Sequence, residues 1–233
     1  MRVPWAMSPA VLVALLVPGV LVISGIRLLA HDAFVRHEYR RPGFPADPYG
    51  FTTAQRTVLG LTGLRAVLPG GPGIELLREA RLPDGKPAFN GRELRHMTDV
   101  RAWIGRFWWV QLGSLAAIAV AGTLLLPWRR TRPLFPRGLR WGGALTLVFA
   151  AAVGGLMAVS WNTFFVDFHR LFFADDTWRF DDNSTLRRLY PDRLWIDVGI
   201  GAAAFTLATS LALIGVTTLW LRRLRARRTT MAP

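Results

Sequence analysis

Four long apolar stretches, arginines gathered at their ends and no cysteine predict an all-α protein: a four-helix transmembrane bundle with a small helical extracytoplasmic insertion between helices 1 and 2. A hydrocarbon core of about 30 Å needs about 20 apolar residues in a helix. The segments at about 9–30, 107–127, 141–166 and 194–221 meet that length. They leave too little polar sequence among 233 residues for a separate soluble domain, so the chain reads as a single membrane domain, 1–233. In the first stretch Pro18 and Gly19 predict a kink, and Arg27 can snorkel at its end. Its apolar run is long, and Leu28-Leu29-Ala30 has no small residue three positions before a cleavage point. It reads as a retained anchor and not a signal peptide.

The net charge is +14, and Lys86 alone among the basic residues is not arginine. The arginines cluster where apolar runs end, the pattern that orients helices in a bilayer and meets anionic headgroups, so no nucleic-acid partner is expected. Arg129, Arg130, Arg132, Arg137 and Arg140 fill the link between spans two and three, and Arg222, Arg223, Arg225, Arg227 and Arg228 fill the tail. By the positive-inside rule both are cytoplasmic, as are the amino and carboxyl termini, and residues 31–106 and 167–193 are extracytoplasmic. Arg170, Arg179, Arg187, Arg188 and Arg193 in the second outer segment run against that bias. Trp108, Trp109, Trp161 and Trp195 mark one interface, and Trp5, Trp128, Trp141 and Trp220 the other. With no cysteine, disulfides, thiolate metal sites and a cysteine nucleophile are excluded.

Within the first outer segment, charge, proline and glycine predict extended chain and turns over residues 31–50. Thr52 or Thr53 caps a helix whose apolar face is Val58, Leu61, Leu64, Val67 and Leu68, stopped by Pro69-Gly-Gly-Pro-Gly73. A short helix over Ile74 to Leu82 and a tight turn at Pro83-Asp-Gly85 follow. Asn90 starts a third helix, with Glu93 at the capping-box distance and Leu94, Met97, Val100 and Ile104 on one face. Gly154, Gly155, Gly199 and Gly201 suit close helix approach better than phosphate binding.

Two histidines stand beside apolar spans with carboxylates within a helical turn. Glu93, His96 and Asp99 follow at i, i+3 spacing, so either carboxylate can orient or charge the imidazole. The plainer reading makes Glu93 a cap and pairs Asp99 with Arg92 or Arg95. His169 has Asn162 two turns earlier on the same helix face, with Asp167 and Arg170 flanking it. Phe164, Phe165, Phe168, Phe172 and Phe173 line either an acyl-chain groove or an ordinary interfacial surface. Asp175, Asp176, Asp181 and Asp182 lack the regular spacing of a calcium loop and read as a solvated acidic loop. Asp197, near the start of span four, is paired, functional or an interface anchor. His31 and His37 add imidazoles without a compact ligand motif, so no metal is expected. Ser160 and Ser184 lack a nucleophile elbow.

Glu-x-x-His-x-x-Asp-Val from Glu93 to Val100, Phe168-His-Arg-Leu-Phe-Phe173, Trp178-Arg-Phe-Asp181 and Leu189-Tyr-Pro191 resemble, in order and spacing, the integral membrane family of the lipoprotein intramolecular transacylase. The resemblance covers most of the chain and departs from the family over Arg41 to Phe89. It implies a multi-pass enzyme of the bacterial cytoplasmic membrane. Its substrate would be a diacylated lipoprotein, whose sn-2 acyl chain moves from the diacylglyceryl-cysteine to the cysteine's α-amine and leaves a lyso-form. It also implies that His96 and His169 are catalytic. Beside them Glu93, Asp99, Asn162, Asp167 and Arg170 read from their positions as orienting or oxyanion candidates, with membrane lipids around the site and no cofactor expected. No oligomeric state follows. The rival classes are a noncatalytic membrane scaffold or subunit, which predicts separated histidines, and a metal-dependent lipid hydrolase, which predicts a ligand cluster.

Overall fold

The computed structural model describes residues 4–173 and 176–229; Asp175 lies outside the described residues. The described chain is helical: α1 (Pro4–Leu29), α2 (Asp32–Arg40), α3 (Thr53–Val67), α4 (Glu75–Glu79), α5 (Gly91–Leu125), α6 (Leu134–Val159), α7 (Trp161–Phe172), α8 (Thr185–Leu189) and α9 (Asp192–Thr229). An isolated antiparallel bridge, Arg81 to Pro87, closes the Gly85 turn. Two compact units divide the chain. One comprises Met1–Ile26, Trp109–Val159 and Gly201–Pro233, the other Arg27–Trp108 and Ser160–Ile200.

The first unit holds the apolar parts of α1, α5, α6 and α9, the four described helices long and apolar enough to cross a membrane. Val13, Val17 and Ala121 form its buried centre, with Leu21, Ile118, Phe135, Leu139 and Leu213 packed around them. The helices touch where side chains are missing. A Cβ on Gly142 would fall 2.6 Å from Val17 Cβ, and one on Gly138 would fall 2.6 Å from the Ala10 carbonyl oxygen. At Gly154 and Gly155, where the sequence suggested close approach, such a Cβ would meet nothing within 4 Å. Large apolar side chains instead face outward, Val148 at 68% and Val216 at 63% exposure. That arrangement is stable in hydrocarbon and costly in water.

The second unit has a conventional core of Leu59, Ala66, Val67, Leu77, Ala88, Phe89, Met97, Leu186 and Leu189. Leu94, Val100 and Ile104 of α5 pack against it. Residues 32–40, expected as extended chain, are helical. His31 caps α2, its Nδ1 accepting from the Phe34 N–H at 3.4 Å. Val35 and Tyr39, one turn apart, bury against Leu61 and Leu194. A two-residue apolar stripe inside a charged stretch is too short to read from periodicity, and tertiary burial supplies the stability. Thr52 caps α3 in a full capping box with Gln55. The buried face of α3 is rotated from the expected one, leaving Val58 64% exposed and Leu59 buried. The cause lies at Gly60 and Gly63, where the hydroxyls of Tyr39 and Tyr190 sit against the helix. Those hydroxyls donate to the Leu189 carbonyl at 2.6 Å and the Gly60 carbonyl at 2.7 Å.

Asp197 is paired: its Oδ2 accepts from Arg41 at 3.0 Å and from Arg193 at 2.7 Å. Arg101 donates to the Ala66 and Leu68 carbonyls at 2.5 and 3.2 Å, covering the open C-terminal end of α3. The helix expected to continue to Val166 ends at Val159. Ser160 starts α7 separately, its hydroxyl accepting from the Thr163 N–H at 3.3 Å.

Candidate active site

The amino end of α5 is built by reciprocal capping. Asn90 Oδ1 accepts from the N–H groups of Arg92 and Glu93 at 2.9 and 3.0 Å, and Glu93 Oε2 accepts from the Asn90 N–H at 2.8 Å. The other oxygen, Oε1, accepts from the Leu186 N–H at 2.9 Å, tying α8 to α5 across 93 residues of sequence. Glu93 is buried, and that burial raises its carboxyl above the ordinary range, partly offset by these backbone donors. The plainer reading of Glu93 anticipated the cap; neither reading anticipated the second partner.

One turn further, His96 points into the space between α5 and α7. This part of α5 precedes the apolar stretch that begins at Phe107. The His96 and His169 rings lie 6.2 Å apart between centroids and are inclined by 26°. At that separation the two imidazoles are direct neighbours, within the range over which ring pairs interact. Phe173 packs on both imidazoles, 4.8 Å from His96 and 5.6 Å from His169. Phe180 meets His96 edge-on at 5.4 Å. Phe165 and Trp178 lie 4.0 and 4.9 Å from the His169 ring. Trp103 fixes the end of α7, donating from Nε1 to the Phe172 carbonyl at 2.7 Å.

This aromatic enclosure removes water, and both imidazoles respond. Burial pushes His96 down to about 4, with the neighbouring His169 adding to the fall. Burial also lowers His169, opposed by its bond to the Phe165 carbonyl. Both rings are therefore neutral near pH 7. A carbonyl oxygen only accepts, so the 2.7 Å contact between His169 Nδ1 and Phe165 O puts the proton on Nδ1 and the lone pair on Nε2. The buried Nδ1 of His96 has no hydrogen-bond partner in the structure.

The remaining candidates lie elsewhere. Asp99, Asn162, Asp167 and Arg170 are all exposed, and Asp167 pairs with Arg170 at 3.7 Å. His37 is exposed and His31 serves as the α2 cap. Asp182 pairs with Arg187 and Asp176 with Arg179. Among the described residues no group of three or more His, Cys, Asp or Glu side chains is arranged to hold a metal ion. Residue-by-residue reading did not assign Trp178, Phe173 and Phe180 to the histidine pocket. Their sequence signal is an aromatic-rich loop after α7, which predicts burial but not its target.

The family model of the lipoprotein intramolecular transacylase Lit matches residues 76–195, just over half the chain, and that stretch contains both histidines, Glu93 and the aromatic loop. The chain belongs to this family. It is an enzyme, a lipoprotein intramolecular transacylase and hence a transferase. An uncharacterized protein of Aquifex aeolicus is 30% identical over 188 residues, covering 81% of this chain and 83% of its own. Among solved structures, the membrane-integral transacylase of Bacillus cereus aligns with a TM-score of 0.76 at 16% identity, over 98% of this chain and all of that one. A histidine-to-alanine variant of the same protein gives 0.73 at 16% identity, over 95% and 96%. These likenesses show a shared fold, and with the four apolar helices they make the chain a membrane protein.

Proposed function

We propose that the chain moves the sn-2 acyl chain of a diacylglyceryl-cysteine lipoprotein onto the cysteine's α-amine, giving the lyso-form, with His96 and His169 as the catalytic pair. The observation that carries this is the pair itself: two neutral imidazoles facing across 6.2 Å inside an aromatic enclosure, one with its lone pair fixed by a backbone carbonyl. Amine and ester belong to one substrate, so holding them in reacting geometry can remove about 7 to 11 kcal/mol of the barrier. Proton transfer remains. As the free amine attacks the ester carbonyl, the N–H proton passes to Nε2 of His169. The C–O bond to the sn-2 oxygen breaks, and the proton ends on that oxygen. His96 donates a hydrogen bond to the tetrahedral oxyanion or the departing oxygen, a contribution of about 3 to 4 kcal/mol where such donors are preorganised. The Phe165 carbonyl takes the orienting role expected of Asp167 or Asn162.

Arginine distribution supports cytoplasmic termini, with residues 31–106 and 167–193 outside. Exposed Phe168 and Leu171 on α7 favour contact with membrane lipids and suit an acyl chain entering from the bilayer. Expression in a bacterial host that leaves its lipoproteins diacylated with free amines tests the reading. N-terminal mass spectrometry should find N-acyl lyso lipoprotein with the native chain and little with His96→Gln or His169→Gln. Correct insertion without that product, or full product from both variants, rejects it.

A further inference from the structure

A general base that becomes a cation inside a water-poor site usually faces a carboxylate. Among the described residues, none faces His169. Asp167 and Arg170 on its own helix are exposed and paired with each other. From α5 it faces His96, which is neutral, while both oxygens of Glu93 accept from backbone N–H groups. Arg92 lies over Phe180 at 5.7 Å, and Arg179 lies over Trp178 at 5.2 Å with Asp176 3.3 Å away. Aromatic rings take up the space against the imidazole instead. Trp178, 7% exposed, lies 4.9 Å from it at an inclination of 34°, and Phe165 lies 4.0 Å from it at 37°. Both inclinations are shallow enough to turn electron-rich ring faces toward the histidine, which is the geometry that attracts a cation.

We propose that Trp178, seconded by Phe165, is a positioning residue of the transacylation: its indole face holds the His169 ring and stabilises the imidazolium that forms while the amine proton resides there. The inference rests on His169 being the base. The electron bookkeeping of the step is unchanged, since the proton leaves the amine nitrogen as the N–C bond forms, waits on Nε2 and passes to the sn-2 oxygen as the C–O bond breaks. Trp178 touches neither substrate bond and acts through the imidazole. Indole offers the strongest of the side-chain π faces, so Phe should serve less well and Leu not at all.

The test uses full-length protein in lipid nanodiscs with a synthetic diacylglyceryl-cysteine peptide and single-turnover pH–rate profiles for the native chain, Trp178→Phe and Trp178→Leu. The expected result is a kcat loss of about 2- to 30-fold for Leu with Phe between, KM nearly constant, and the acid limb displaced to lower pH in the order Trp, Phe, Leu. The sign is decisive. Loosened packing would admit water and move the limb upward toward the ordinary histidine value. Trp178→Phe preserves most of the ring volume and carries the test if Trp178→Leu does not fold. An acid limb that stays put or rises in Trp178→Phe, with product still made by the native chain, overturns the inference alone. No product from the native chain overturns the reading beneath it as well.

Discussion

In the unit of Met1–Ile26, Trp109–Val159 and Gly201–Pro233, helices meet through absent side chains, Gly138 against Ala10 and Gly142 against Val17, while bulky residues face outward. In the unit of Arg27–Trp108 and Ser160–Ile200 the reverse holds. Apolar side chains fill a core, and polar groups clamp distant segments: Glu93 to Leu186, Arg188 to Asp47 at 2.8 Å, and Asp197 to Arg41 and Arg193. The solvent explains the difference. Hydrocarbon gives apolar groups no reason to gather, so van der Waals fit between backbones is left to join helices. Water drives apolar burial, and the polar groups carried inward must then be satisfied. The proposed catalytic pair falls in the second unit, where imidazoles can be dehydrated by aromatic rings yet held by hydrogen bonds.

The comparison breaks most visibly if function and fold do not separate between the units. His169→Gln should lower lyso-product formation by about 100- to 10,000-fold with little change in thermal midpoint. Gly142→Leu should do the opposite, reducing folded protein in detergent by about 1–3 kcal/mol while surviving molecules turn over normally. A Gly142→Leu protein as stable as the native one would remove close backbone approach as the basis of the first unit. Glu93→Ala comes next. It strips the acceptor from the buried N–H of Leu186 and the part-buried N–H of Asn90, at a cost of about 1–3 kcal/mol, and should speed hydrogen exchange at both amides.

A subtler check is pH. His96 is neutral in the fold down to about pH 4, whereas the unfolded chain takes up a proton near 6.5. Between those values the unfolded state binds more protons, so stability falls as pH drops. His96 alone accounts for about 2 kcal/mol between pH 6.5 and 5, and His169→Gln should leave most of that portion, which burial sets, in place while His96→Gln removes it in melting experiments. The smallest effect belongs to Asp167→Asn. An exposed pair with Arg170 contributes less than about 0.5 kcal/mol, and activity should stay within about twofold. A large loss there would restore the carboxylate as the orienting group of His169.

Local signals were legible wherever one residue speaks to neighbours three or four positions away. A cap at Thr52 or Thr53, Asn90 with Glu93, and the apolar runs of α1, α5, α6 and α9 all follow from such spacing, and the structure settles the first on Thr52. The short α2 helix was hidden because its stripe, Val35 and Tyr39, gains meaning from Leu61 and Leu194 far along the chain. The orienter of His169 was hidden for another reason: it is a main-chain carbonyl, which every residue possesses and no composition reveals.

The sequence by itself determined which segments are apolar enough to span a bilayer, where α3 and α5 start, and which two histidines stand beside polar sequence at helix ends. These are properties of short windows, set by side-chain hydropathy and backbone propensity. Only the tertiary structure decided that His96 and His169 share one dehydrated pocket, that Glu93 serves α8 and not an imidazole, and that Trp178 covers the proposed base. Those outcomes depend on packing between segments distant in sequence, where the loss of water, and not any local pattern, sets the energies.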